Sequence, residues 1–176
     1  MKAIVVIVVF MSGLIILFTS CNDLFSDERF SMSKTNYIGH EIKTEGYFYS
    51  QDINYERTTV KIFYRNGIFL STNSYSTYNL DIVEKELLSQ IEMIKDDKMN
   101  WGLFEVSDSS LTTEEYIDNP PSSKLITMKS FYEIKNDTTI ILKRINHPGY
   151  KKETYNEQFH FKQFSPKPDS TNVYIK

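Results

Sequence analysis

Few residues in this sequence have the type and spacing that catalysis or metal binding requires. The three histidines, His40, His147 and His160, are far apart, and none stands at metal-ligand spacing from a second ligand. Glu114 and Glu115 are adjacent, so on a strand they point to opposite faces and cannot act as a carboxylate pair. No Gly-x-Ser-x-Gly motif surrounds a serine. The sequence therefore predicts no catalytic residue, no metal site and no cofactor, with a hydrolase or isomerase as the alternative to a non-enzymatic protein.

Cys21, the only cysteine in 176 residues, is well placed for covalent lipid attachment. It follows an uncharged apolar run from Ala3 to Ser20, which begins after Lys2, and this is the layout of a signal peptide. A cysteine directly after such a run resembles the bacterial lipoprotein signal, which implies that residues 1–20 are removed and that the sulfur is acylated, for example with palmitate. An uncleaved transmembrane anchor is the alternative, because a span needs roughly 20 residues.

Lipidation at Cys21 has consequences for the rest of the chain. It would leave no thiol for a disulfide, so the fold is expected to depend on packing alone. Removal of residues 1–20 leaves 156 of the 176 residues, enough for one domain, and changes the net charge from -3 to -4 because Lys2 is lost. A mildly acidic chain with interspersed charges argues against a nucleic-acid partner. The expected partner is the lipid bilayer, reached through acylated Cys21 in the outer membrane of a bacterial cell envelope.

A polar stretch separates Cys21 from the first predicted strand. Residues 22–39 are rich in Ser, Asn, Asp and Lys without a sustained apolar period, which predicts a flexible tether over 21–40 and a β-domain over 41–176. A free tether of this length would have a reach of roughly 25 Å. Its acidic step, Ser26, Asp27 and Glu28, resembles the signal that exports lipoproteins of the Bacteroidota to the cell surface, and a pair of solvated linker charges is the alternative.

The best-defined hairpin is centred on Asn-Gly at 66–67. This dipeptide predicts a type I′ turn joining strands at 58–65 and 68–75. A two-residue turn would pair Tyr64 with Phe69. Apolar groups then appear on both faces of the hairpin, so a second layer is expected to cover the sheet. In this register one face carries Val60, Ile62, Tyr64 and Phe69, and the other carries Lys61, Phe63, Arg65, Ile68 and Leu70.

One helix is expected among the strands, near residues 79–98. Asp81 and Glu84 resemble a capping box at its start, and we expect the helix to lie across a sheet or to plug one end of a barrel. Its apolar residues recur at spacings of three and four: Leu80, Val83, Leu87, Ile91 and Ile94.

Turn signals at 107–109, 119–121, 136–137 and 147–149 divide the remaining chain into closely spaced strands. About eight strands without alternating helices predict a mainly β protein. The expected fold is an antiparallel meander closed into a barrel, and a β-sandwich is the alternative.

Several short motifs occur at intervals along the chain. They are GYFY at 46–49, FYRNG at 63–67, WGLF at 101–104, NDTT at 136–139 and KPDSTN at 167–172. Together they resemble the small lipocalin-like lipoproteins of the Bacteroidota, whose activity is largely unassigned. Lipocalins carry Gly-x-Trp on their first strand, where this chain has Gly46, Tyr47 and Phe48. The resemblance implies a lipocalin-like barrel.

Two functions are compatible with an aromatic-rich barrel of this kind, which has 12 Tyr, 12 Phe and one Trp. In the first, the barrel binds a small, partly apolar ligand, since an eight-stranded barrel has room for one. The expected lining residues are Tyr64, Phe69, Trp101 and Tyr132. In the second, the domain is a surface interaction module with a filled core, and its partner is a protein or a glycan.

Overall fold

Eight antiparallel strands close into one barrel, in which each strand pairs with its neighbours in sequence and the last pairs with the first. The structure, a computed structural model, describes residues 26–52, 57–75, 77–149 and 153–176. The predicted antiparallel meander closed as a barrel is confirmed, and the sandwich alternative is not adopted. The strands are β1 (Gly46–Asp52), β2 (Arg57–Phe63), β3 (Ile68–Tyr75), β4 (Trp101–Ser107), β5 (Ser110–Asn119), β6 (Ser122–Asn136), β7 (Thr139–Asn146) and β8 (Glu153–Gln163).

The two ends of the barrel differ. At one end lie the short turns β2–β3, β4–β5 and β6–β7, and the chain crosses this end before β1, placing Tyr37 and Ile42 in the interior aromatic cluster. We call this the closed end. At the other, which we call the open end, lie the connections β1–β2, β3–β4, β5–β6 and β7–β8.

The hairpin of β2 and β3 has a different register from the predicted one. Phe63 pairs with Phe69, because the loop is one residue longer than a type I′ turn. The Gly67 N–H donates to the Tyr64 carbonyl at 3.1 Å, and Gly67 has a φ of 80° whereas Asn66 is not in the positive-φ region. A type I turn followed by a left-handed glycine fits this geometry. The predicted type I′ turn is therefore wrong, and Phe69 lies on the opposite face from the predicted one.

The predicted helix is divided into three short pieces: α1 (Leu80–Ser89), α2 (Ile91–Asp96) and a 3-10 helix (Lys98–Asn100). Asn79 caps α1, since its side chain accepts a hydrogen bond from the Asp81 N–H at 3.0 Å. The cap thus lies two residues before the predicted capping residue Asp81. No helix within the described ranges is both long and apolar enough to cross a membrane.

The helices lie across the outside of the barrel. Val83, Leu87 and Ile94 are buried in a cluster with outward-facing residues of β1 to β4. The Tyr47 hydroxyl also donates to Glu84 at 2.9 Å. The prediction of a second layer over the sheet is confirmed, and of the two expected helix positions the structure adopts the one across the sheet. The strand residues of this outer cluster are Tyr47, Val60, Ile62, Ile68, Leu70, Trp101 and Leu103, and Tyr64, directly after β2, joins them.

Residues 26–45, which we call the strap, first run along the outside of the barrel from the open end and then cross the closed end. The Glu28 N–H donates to the Leu125 carbonyl at 2.9 Å, and further along the Tyr37 N–H donates to the Arg65 carbonyl at 2.8 Å. From Ser26 onward the predicted flexible tether is therefore a bound segment. Residues 1–25, with the predicted signal peptide and Cys21, lie outside the described part of the chain.

The acidic step of the strap makes specific contacts with the barrel. Asp27 accepts a hydrogen bond from the Leu125 N–H at 2.9 Å and pairs with Lys98 at 2.6 Å. Glu28 accepts from the Thr127 N–H at 2.7 Å. These amides belong to the part of β6 beyond its last pair with β7, so the two carboxylates satisfy an otherwise open strand edge. Both carboxylates are thus bonded to the barrel, while Glu28 stays exposed to solvent.

Candidate functional site

A buried ion pair spans the interior of the barrel. Lys61 on β2 and Glu115 on β5 lie with Nζ and Oε2 3.4 Å apart, and the two residues are only 5% and 9% exposed. Lys61 points inward because it alternates with Val60 and Ile62, which face the helices. Burying a charged group without a partner costs a large free energy. We therefore take this buried pair as the candidate functional site of the interior.

Besides Glu115, the Lys61 ammonium has two further stabilising contacts. It donates to the Ser71 hydroxyl at 3.0 Å and lies 5.0 Å from the centre of the Phe69 ring. Burial by itself would lower the pKa of Lys61, but the charge and hydrogen bonding of Glu115, together with Tyr132 and Glu157, outweigh it and hold the pKa above its ordinary value. Lys61 is therefore charged at neutral pH.

A cavity of about 260 Å³ adjoins this pair. Lys61, Ser71 and Glu115 form its inner wall, and Asp97 and Asn100, the cap and the last residue of the 3-10 helix, lie at its rim. The cavity exists because β3 and β4 pair over only three positions, 68–70 with 101–103. Toward the open end the helical segment replaces the missing strand contact, so a small molecule could reach the charged pair from the rim.

The closed half of the interior is filled with aromatic rings. Phe63 lies 5.7 Å from Phe48 and 5.0 Å from Phe104, both with edge-to-face geometry. Tyr37, contributed by the strap, lies 5.6 Å from Phe104. Such contacts are favourable aromatic arrangements. The interior thus divides into an aromatic closed half and a polar open half.

The four predicted lining residues lie on two different faces. Phe69 and Tyr132 are in the interior cluster. Tyr64 and Trp101 are in the outer cluster beneath the helices, where the Trp101 Nε1–H donates to the Lys95 carbonyl at 2.8 Å. Tyr64 and Trp101 therefore cannot line the interior. For Tyr64 the cause is the register of the hairpin, which separates it from Phe69 by one face.

The ion pair had a sequence signal, namely charged residues on predicted strands, but the aromatic residues were the more evident lining candidates. The prediction that Glu114 and Glu115 face opposite sides is confirmed: Glu115 meets Lys61 inside, while Glu114 lies under the strap. There the Glu114 carboxylate accepts hydrogen bonds from the Ser31 N–H at 3.0 Å and the Met32 N–H at 2.8 Å. An inward lysine on one strand and an inward acidic residue on another predict an ion pair only when it is known that the two strands face each other across the barrel.

Comparison of the chain with protein-family models, with curated proteins and with solved structures finds no match.

Proposed function

We propose that this chain is an envelope lipoprotein, held in the outer membrane through acylated Cys21, whose barrel binds a small ligand at its open end. The anchoring rests on the sequence around Cys21. The ligand-binding part rests on one observation, the cavity of about 260 Å³ beside the Lys61–Glu115 pair. Its volume is slightly below the range of about 300–1,000 Å³ typical of ligand sites, which favours a small molecule.

The geometry of the ion pair supports an oxygen-bearing ligand. Both Glu115 oxygens lie 3.4 Å from the Lys61 Nζ, whereas a well-formed pair of this type has a distance of about 2.7–2.9 Å. A ligand oxygen close to Lys61 would therefore make a shorter hydrogen bond than Glu115 does. Met128 and the Phe69 ring offer apolar contact nearby, so a small, partly apolar molecule with a polar group suits the cavity.

A surface interaction module remains the second candidate, and two features favour it. The closed half of the interior is filled with rings, as expected for a barrel that holds no ligand. Large apolar side chains are also exposed outside, among them Ile38 at 87%, Val173 at 78% and Met93 at 65%. The partner would then be a protein or a glycan.

Native mass spectrometry of the full chain, purified from membranes in mild detergent, separates the two functions. We expect the wild type to carry a bound small molecule and the Lys61→Met/Glu115→Leu double variant to have lost it. Both charges are replaced together because removing one partner of a buried pair costs about 3–5 kcal/mol. The matched control is Lys143→Met/Glu133→Leu, which removes a half-exposed pair 3.1 Å apart. Wild-type protein without added mass, or equal retention in the double variant, contradicts ligand binding at this site.

Cell fractionation tests the anchor. Cys21→Ala should move the protein out of the membrane fraction, because the sulfur that carries the lipid is absent. Ser20→Ala keeps a small residue before the cysteine and should leave the distribution unchanged. An unaltered membrane fraction for Cys21→Ala would show that acylation does not hold the protein there.

A further inference from the structure

A groove of about 790 Å³ lies between β1 and β8, away from the ion pair's cavity. These strands pair only near the closed end, and their last pair is Tyr49 with His160. Beyond it, residues 50–52 pair with β2 alone and residues 157–159 pair with β7 alone. The two strands therefore separate toward the open end, and the groove occupies the gap. Its volume is within the range of about 300–1,000 Å³ found for ligand sites.

The groove combines aromatic rings with amide groups. Its rings are those of Tyr49, Tyr78 and His160, and Tyr78 is 41% exposed. Its amides belong to Gln51, Asn156 and Gln158. Each amide both donates and accepts hydrogen bonds, and each ring offers an apolar face.

Several of these side chains are fixed in place before any ligand arrives. The Gln51 amide donates to the Tyr78 carbonyl at 2.9 Å, and the Tyr78 hydroxyl donates to the Asp52 carbonyl at 3.2 Å. On the opposite wall, Asn156 accepts from the Lys143 ammonium at 3.2 Å. Side chains held in this way lose less conformational entropy on binding.

Glu157 also lines the gap, but it alternates in the same way as the interior residue Phe159, and its charge acts on Lys61 inside the barrel. The groove itself is therefore best described by its rings and amides. No lysine or arginine is among its lining residues, and Lys143, which contacts the wall, donates to Asn156. This disfavours phosphate or carboxylate ligands, which call for Arg or Lys.

We propose that this groove binds a neutral oligosaccharide. A sugar ring has an apolar C–H face that can stack on a tyrosine and a rim of hydroxyl groups that both donate and accept. The amides of Gln51, Asn156 and Gln158 match that rim. An extended peptide fits less well, because β1 offers it only the three residues 50–52 as a pairing edge. This site is independent of the proposed ligand at Lys61.

Titration calorimetry of the full chain in detergent tests the proposal with three probes: maltohexaose, cellohexaose and chitohexaose. We expect at least one to bind the wild type. His160→Ala and Gln158→Ala should each weaken that binding about tenfold, the effect of losing one good contact. His40→Ala is the matched control, because His40 is an exposed histidine near the closed end, and it should bind as the wild type does.

The Lys61→Met/Glu115→Leu variant distinguishes this site from the proposed interior site, and it should bind the sugar unchanged. The proposal is overturned if none of the three oligosaccharides binds at millimolar concentration, or if His160→Ala and Gln158→Ala bind as tightly as His40→Ala. A peptide that occupies the groove and excludes the sugars would overturn it as well.

Discussion

Lys167 joins the end of the strap to the end of β2. Its ammonium donates to the carbonyls of Thr44 at 2.5 Å and Phe63 at 3.0 Å, and it lies 4.4 Å from the centre of the Tyr64 ring. Burial lowers its pKa from 10.5 to about 8. Lys167 is therefore expected to lose its proton at mildly alkaline pH.

The shifted pKa of Lys167 predicts an unusual dependence of stability on pH. Because the folded chain binds this proton more weakly than the unfolded chain, the free energy of unfolding should rise between about pH 8 and pH 9. Toward pH 10 the sign reverses, since burial raises the pKa of Tyr37, Tyr47, Tyr64 and Tyr132 above 10.0 and the unfolded chain loses those protons first. Urea unfolding at pH 7, 8, 9 and 10 measures the rise. In Lys167→Met the rise should disappear, and a rise of the same size in that variant would contradict the assignment.

At the scale of elements, the β2–β3 turn connects the strap with the barrel. Gly67 has a φ of 80°, and a Cβ added to it would lie 2.1 Å from the Thr35 carbonyl oxygen of the strap. The left-handed conformation of Gly67 therefore allows the turn, and its missing side chain allows the strap to cross the turn. Glycine at position 67 thus meets both requirements.

Gly67→Ala is expected to destabilise the fold by more than Gly149→Ala. Both glycines have a φ of 80°, so both variants should lose about 1–2 kcal/mol from the left-handed backbone. At Gly149 nothing lies within 4 Å of the added Cβ, whereas at Gly67 the strap must move. Thermal and urea unfolding of the two variants gives the difference, which isolates the strap contact. Equal losses of unfolding free energy in the two variants would show that the strap can move away from the added methyl group without a cost in stability.

The elements were more predictable than their pairing. Turn residues and strand propensity act locally, so the strand number, the helix near residue 80 and the opposite facing of Glu114 and Glu115 followed from the sequence. The β2–β3 register did not, because Asn-Gly suits both a two-residue turn and a longer turn that ends in glycine. That one-residue difference moved Phe69 to the other face. Lys61 and Glu115 are 54 residues apart in sequence, and their contact depends on closure of the barrel, which no local pattern contains.

At the scale of the whole molecule, the strap determines which surfaces of the barrel are covered. Glu114 is 1% exposed and binds the strap through the amides of Ser31 and Met32. Phe30 adds a ring contact with Tyr116, with centroids 4.4 Å apart. The segment that precedes the first strand thereby becomes part of the folded domain.

Loss of the Glu114 carboxylate should release the middle of the strap. In Glu114→Ala, hydrogen exchange at the Ser31 and Met32 amides is expected to accelerate by about tenfold or more, because charge-assisted hydrogen bonds contribute about 1.5–3 kcal/mol. Glu105→Ala removes an exposed carboxylate of β4 and serves as the control. Exchange that stays as slow in Glu114→Ala as in Glu105→Ala would show that other contacts hold the strap.

The strap also has a consequence for orientation. Near its start, Asp27 meets Lys98 and Leu125 close to the open end, and five residues separate Asp27 from Cys21, a span of about 22 Å at full extension. With Cys21 in the bilayer as proposed, the barrel would stand with its open end toward the lipid headgroups and its closed end outward. Solutes would then enter the cavity and the groove from the thin layer of water between protein and membrane.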